Sequence, residues 1–203
     1  MGRENRATTP VISTVLLVAI VVILTVTLSV FVSGVTEDIN DPAPNIADTT
    51  GDFDVGASGY QSDQIVRIAH LAGDSVTIGE LEIIVRVRGP DSTLPSEARL
   101  VNLPAEGSSI DDKNIDGENM LIDRGPNPLG GAGPPNLLIT SQDANAWSAG
   151  KTIQFRIPTG GADFREGEDI PSSGLNGPDA DELEVVIVHT PSNSILSEHT
   201  FTP

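Results

Sequence analysis

Residues 11–34 read VISTVLLVAIVVILTVTLSVFVSG, and no charged side chain occurs anywhere from Ala7 to Thr36. At about 1.5 Å rise per residue, a helix over this stretch crosses a hydrocarbon layer of about 30 Å. Many of its residues are β-branched, which favours strand in water. In lipid the backbone hydrogen bonds must close within the segment, so helix wins. Pro10 stands at the start, where a missing N–H matters little. The segment is apolar on all sides, as a helix buried in lipid or in a bundle is. Arg3 and Arg6 precede it and acids from Glu37 follow it. That asymmetry predicts a cytoplasmic N-terminus with the bulk of the chain outside.

Hydropathy alone admits a fixed single-pass anchor as readily as a stored, polymerising helix. A secretory signal peptide fits less well: the apolar run is long, and only Val32-Ser33-Gly34 offers small residues for cleavage. Arg6-Ala7-Thr8-Thr9-Pro10-Val11-Ile12-Ser13 resembles the N-terminal segment of archaeal type IV pilins, especially the haloarchaeal ones. Thr8 and Thr9 stand where that family commonly has Val and Ser, and Ser13 where Gly is common. Ile12 takes the place of the Glu of bacterial pilins, so no Glu–amine pairing between subunits is implied.

The resemblance implies a leader of residues 1–7, cut between Ala7 and Thr8 by a prepilin peptidase, a membrane aspartyl protease of which the chain is only the substrate. Arg6 and Ala7 then end the leader, and Thr8 becomes the new N-terminus. It also implies a filament-core helix over 8–40, polymerising through Pro10, Val11, Ile12, Leu16, Leu17, Ile20, Leu24, Leu28 and Phe31. The partners implied are identical or homologous pilin subunits, the peptidase, and the membrane before assembly. The product would be an adhesive filament at the cell surface. The alternative is a membrane-anchored extracellular β-domain that binds a partner and never polymerises. Thr25, Ser29 and Ser33 recur every four residues along one stripe. They read either as a close-packing seam or as hydroxyls bonded back to the preceding turn.

The charge balance is uneven. Lys+Arg total 11 against 29 Asp+Glu, a formal net charge of −18. From Glu37 onward acids outnumber bases by 28 to 9, so the excess belongs to the whole remaining domain. Such a surface repels nucleic acid, and no basic patch opposes that reading. A folded, salt-adapted surface is expected rather than disorder, because apolar runs persist. There is no cysteine, which excludes disulfides, thiolate metal sites and cysteine nucleophiles. Trp147 and Tyr60 are single, so an aromatic carbohydrate platform is not indicated.

The predicted fold class is α+β: one long N-terminal apolar helix, then an all-β sandwich-like (Ig-like) domain. Residues 41–51 read as a Pro-stiffened linker and 52–203 as the acidic extracellular domain. Strand-like runs occupy Gln64 to Leu71, Ser75 to Ile78, Leu81 to Val87, Leu137 to Thr140, Thr152 to Ile157 and Leu183 to Thr190. Pro191-Ser192-Asn193-Ser194 reads as a turn before Ile195 and Leu196. Ala72-Gly73-Asp74 and Ala149-Gly150-Lys151 each place a turn glycine before a strand. Residues 125–135 and 160–178, rich in Gly and Pro, read as exposed loops, where attachment specificity would sit.

Asp112, Asn114, Asp116 and Asp123 fall at positions 1, 3, 5 and 12 of a calcium-loop spacing, with Gly117 at position 6. Against that candidate, the last ligand is Asp rather than Glu and no flanking helices are evident. The competing reading is a hairpin turning at Asp116-Gly117 between Ile115 and Met120-Leu121-Ile122. His70, His189 and His199 form no metalloprotease or nucleophile-elbow pattern. No Asn-x-Ser/Thr sequon occurs. The expectation is therefore a structural protein that is not an enzyme, uses no cofactor and binds no nucleic acid.

Overall fold

The computed structural model describes residues 8–37, 42–55, 64–106, 109–124, 139, 145–165 and 177–203. The leader residues Arg6 and Ala7, the loop at 125–135, and Leu137, Leu138 and Thr140 of one expected strand lie outside them. The chain divides into two compact units, Met1–Asp41 and Pro42–Pro203. The first holds one 30-residue helix, α1 (Thr8–Glu37). Pro10 lies in its first turn, where its ring and missing N–H are tolerated.

The second unit is built from ten strands: β1 (Ile46–Val55), β2 (Gln64–Gly73), β3 (Val76–Thr77), β4 (Leu81–Arg88), β5 (Ser96–Leu100), β6 (Ile115–Gly117), β7 (Ala146–Trp147), β8 (Thr152–Ile157), β9 (Glu182–His189) and β10 (Ser194–Phe201). They form a three-stranded sheet, β1-β2-β8, a five-stranded sheet, β10-β9-β4-β5-β6, and a two-stranded ribbon, β3-β7. Every strand pairing within these sheets is antiparallel. The α+β expectation holds. The first strand begins at Ile46, inside the stretch read as a linker. Its inward positions are small or polar at Thr49 and Gly51, which hid the alternation.

Leu81, Ile83, Val85 and Val87 of β4 are buried and alternate with Glu82, Ile84, Arg86 and Arg88, as a half-buried strand requires. Leu183, Val185 and Ile187 of β9 continue that face. They share one core with Val66, Ile68, Ile153, Phe155 and Ile157 of the smaller sheet and with Trp147. Burying each such side chain contributes about 1.5–3 kcal/mol. β1 and β10 meet where Thr49 Oγ1 bonds Ser197 Oγ at 2.8 Å.

Gly73 and Gly150 occupy the turns expected of them, with φ of +125° and +86°. Only at Gly73 is space also lacking: an added Cβ would lie 2.4 Å from the Asn45 carbonyl oxygen.

One expected loop is partly core. Ala162, Asp163 and Phe164 are buried rather than exposed. The cause is Gln64, a fully buried side chain whose amide donates to the carbonyls of Ile157 and Ala162 and accepts from the Phe164 N–H. A buried amide demands partners, and the loop supplies them.

Candidate functional site

All described side chains of α1, Ile12 to Ser29, are exposed. Leu17, Leu24 and Leu28, 64%, 60% and 69% exposed, share one side of the helix, and Val15, Val22 and Val26, 63%, 53% and 57% exposed, share the opposite one. The Ile12–Ser29 segment is long and apolar enough to cross a membrane. Ile12, Leu16 and Ile20 are likewise exposed. Pro10, Val11 and Phe31 lie within the helix.

Thr25 Oγ1 lies 2.9 Å from the carbonyl oxygens of both Val21 and Val22, and Thr27 Oγ1 lies 3.0 Å from those of Ile23 and Leu24. These hydroxyls close on their own backbone, which is the back-bonded alternative for Thr25. Thr8, the expected mature N-terminus, opens the helix.

Three of the four calcium-loop residues are committed elsewhere, and the fourth stands apart on a strand. Asp112 pairs with Arg124. Asp123 accepts from Arg156 Nε at 2.7 Å. The buried Asn114 donates to the carbonyls of Val101 and Asn102, and its oxygen accepts from the Asp111 N–H. Asp116 is exposed on β6, in register with Arg99. Among the described residues no group of three or more His, Cys, Asp or Glu is placed to hold a metal ion.

The hairpin alternative fails too. Ile115–Gly117 pairs with β5, and Asn119–Leu121 is a 3₁₀ turn. Leu121 and Ile122 are buried in the core, which prevents the segment from folding back as an exposed ribbon.

The histidines are packed. His70 Nε2 donates to the Ala72 carbonyl at 3.0 Å, with its ring 5.0 Å from that of Trp147. His199 lies 3.1 Å from Thr49 Oγ1, and burial pushes its imidazole pKa below the ordinary value. His189 Nδ1 is 2.7 Å from Ser192 Oγ, a pairing the sequence reading did not anticipate. The two bridge their own β9–β10 turn. The Glu80 carboxylate is 3.8 Å from Nε2, beyond hydrogen-bond reach.

Sequence reasoning also missed an ion lattice on the outward face of the five-stranded sheet. Arg86 Nε donates to Glu97 at 2.7 Å, and its Nη1 reaches Glu184 at 3.4 Å. Arg99 joins Glu97 at 2.9 Å and Glu82 at 3.2 Å. Arg88 pairs with Glu182 and, at 3.2 Å, with Glu184. Hydrogen bonds from Arg86, then Arg99, hold the Glu97 carboxyl below its usual range. The signal was in the sequence: Glu and Arg alternate with core residues on β4, β5 and β9.

No protein-family model matches the chain, and no curated protein matches it in sequence.

Proposed function

We propose that this chain is a processed, non-enzymatic subunit of a type IV pilus-like surface filament used for attachment. One observation supports the reading: a 30-residue helix, apolar on every side, preceded in sequence by the bases Arg3 and Arg6. Such a helix is stable in lipid as a precursor. Leaving lipid for water would expose apolar surface at about 25 cal/mol per Å². Sister helices remove that penalty by taking the place of lipid tails, so extraction and polymerisation are a single exchange. Cleavage after Ala7 deletes Arg3 and Arg6, the charges that hold the end at the cytoplasmic face. The acidic β-domain would then be displayed outside, with homologous subunits as its neighbours and no nucleic acid partner.

Mass spectrometry of the mature N-terminus tests this. A chain beginning at Thr8, with Ala7→Glu blocking both the cut and surface filaments, is the expected result. A chain that keeps Met1 or Gly2 and stays in the membrane refutes it in favour of a fixed anchor.

A further inference from the structure

We infer that the outward face of the five-stranded sheet is the surface on which the β-domain of a second copy of this chain docks. The inference rests on the filament reading above and adds a contact outside the helix. Strand register places Glu82, Ile84, Arg86 and Arg88 of β4 on one face with Glu182, Glu184, Val186 and Val188 of β9. Glu97 and Arg99 of β5 join them, as do Ile195 and Thr200 of β10, opposite Val188 and Glu184. Two features set this face apart.

The first is charge. From Glu37 onward the chain carries 28 acids and 9 bases, so identical domains repel one another over most of their surface. On this face three arginines stand against four glutamates, with Glu198 and Asp116 at its rim. At three bases to six acids it is less acidic than the domain taken whole, so a like-charged copy meets less repulsion there than the average of the surface. Arg86 and Arg99 each bond through Nε and Nη1. Among the described residues the Nη2 of each makes no hydrogen bond. Arg86, Arg99 and Arg88 are 36%, 43% and 53% exposed. Guanidinium forks with spare N–H groups are suited to the carboxylates that the rest of a second copy offers.

The second is apolar surface at one end of the same face. Ile195 is 62% exposed and lies in register with Val188 on the neighbouring strand. One strand pairing further in, the partly exposed Ile84 lies over Val186, which is itself buried. Aliphatic side chains beside partly exposed arginines make an anchor of the kind found at interface centres.

An arginine-bearing face meeting a different, carboxylate-bearing surface is a heterologous contact. Such contacts do not close on themselves and propagate into open helical assemblies.

The chain has no cysteine, so single thiols report on it cleanly. In the full chain, Ile195→Cys and Thr200→Cys are made separately. Each is labelled with a bulky maleimide in intact filaments and in the same filaments dissociated by detergent. Because interface cores exclude solvent, both thiols should react at least about tenfold more slowly in filaments. Filaments whose thiols react within about twofold of the dissociated rate overturn the inference and leave the filament reading standing. A wild-type chain that forms no filaments overturns both. As a second arm, Arg88→Glu with Arg99→Glu should leave the cut at Thr8 and buried-Trp147 fluorescence unchanged and abolish filaments. Normal filaments from that variant overturn the docking surface.

Discussion

Gln64 and Gln154 are both completely buried, yet their amides differ in kind. Gln64 makes three hydrogen bonds, at 3.1, 2.7 and 2.8 Å. Among the described residues, neither amide atom of Gln154 has a partner. Leucine closely matches glutamine in volume, so the same replacement at each site separates polar satisfaction from packing. Gln64→Leu strands the Phe164 N–H and the Ala162 carbonyl in the core. At about 1–3 kcal/mol for each of these two unsatisfied groups, the loss is about 2–6 kcal/mol. Gln154→Leu removes a buried amide that bonds nothing, so stability should rise by about 1–3 kcal/mol. Trp147 is the chain's single tryptophan and is fully buried, so its fluorescence reports core unfolding directly. In urea, with a slope of about 2 kcal/mol per M, Gln64→Leu should lower the midpoint by about 1–3 M and Gln154→Leu raise it by about 0.5–1.5 M. Midpoints that fall equally for both variants would show that burial alone, not hydrogen bonding, governs these sites.

Three further outcomes are expected. Gly73→Ala should destabilise the β-domain by about 1–3 kcal/mol or more, through both strain and collision with the Asn45 carbonyl. Gly150→Ala has positive φ but open space and should be milder; the reverse order by thermal melting would contradict the geometry. Because burial depresses the folded pKa of His199, the unfolded chain takes up the proton more readily. The stability this residue contributes is present above about pH 6.5 and is lost as pH falls through the depressed folded value. His199→Gln should flatten that part of a melting-temperature profile measured from pH 8 to 5, and an unchanged profile refutes the assignment. Val22→Asp places a carboxylate in the middle of the apolar helix, a change of about 2.5–3.5 kcal/mol in a membrane setting. It should abolish filaments in electron micrographs, and abundant filaments would remove the helix as their core.

What was legible followed from how strictly each segment alternates or stays apolar. Leu81 to Val87 alternates with only Ile84 out of pattern, and β4 appears where that pattern puts it. The helix announced itself by the absence of any charge over its length. β1 did not, because Asp48 sits at a break in strand register and Thr49 and Gly51 take positions where larger apolar residues would have marked the inward face. Gly51 has no room for more: a Cβ there would lie 2.7 Å from the Phe201 ring. β5 was equally hidden, since Ser96, Glu97 and Arg99 carry no apolar alternation and find their partners only on β4. The calcium spacing misled for a related reason. Periodic Asp and Asn residues look alike whether they point at a cation, cap a turn or answer an arginine, and only the fold reveals Arg124 and Arg156 as the respondents. Arg6 and Ala7, on which the expected cut turns, lie outside the described residues.

The threonines of the helix have one more effect. With Thr25 and Thr27 turned back on their own carbonyls, neither demands a polar handshake from lipid or from a sister rod. A cylinder so evenly apolar has little azimuthal preference for one neighbour over another. The same indifference leaves it poor at choosing a compass bearing. In the filament proposed above, angular order would then fall to contacts between the β-domains, and single-residue changes on their surfaces should alter the pitch before they alter the helical core.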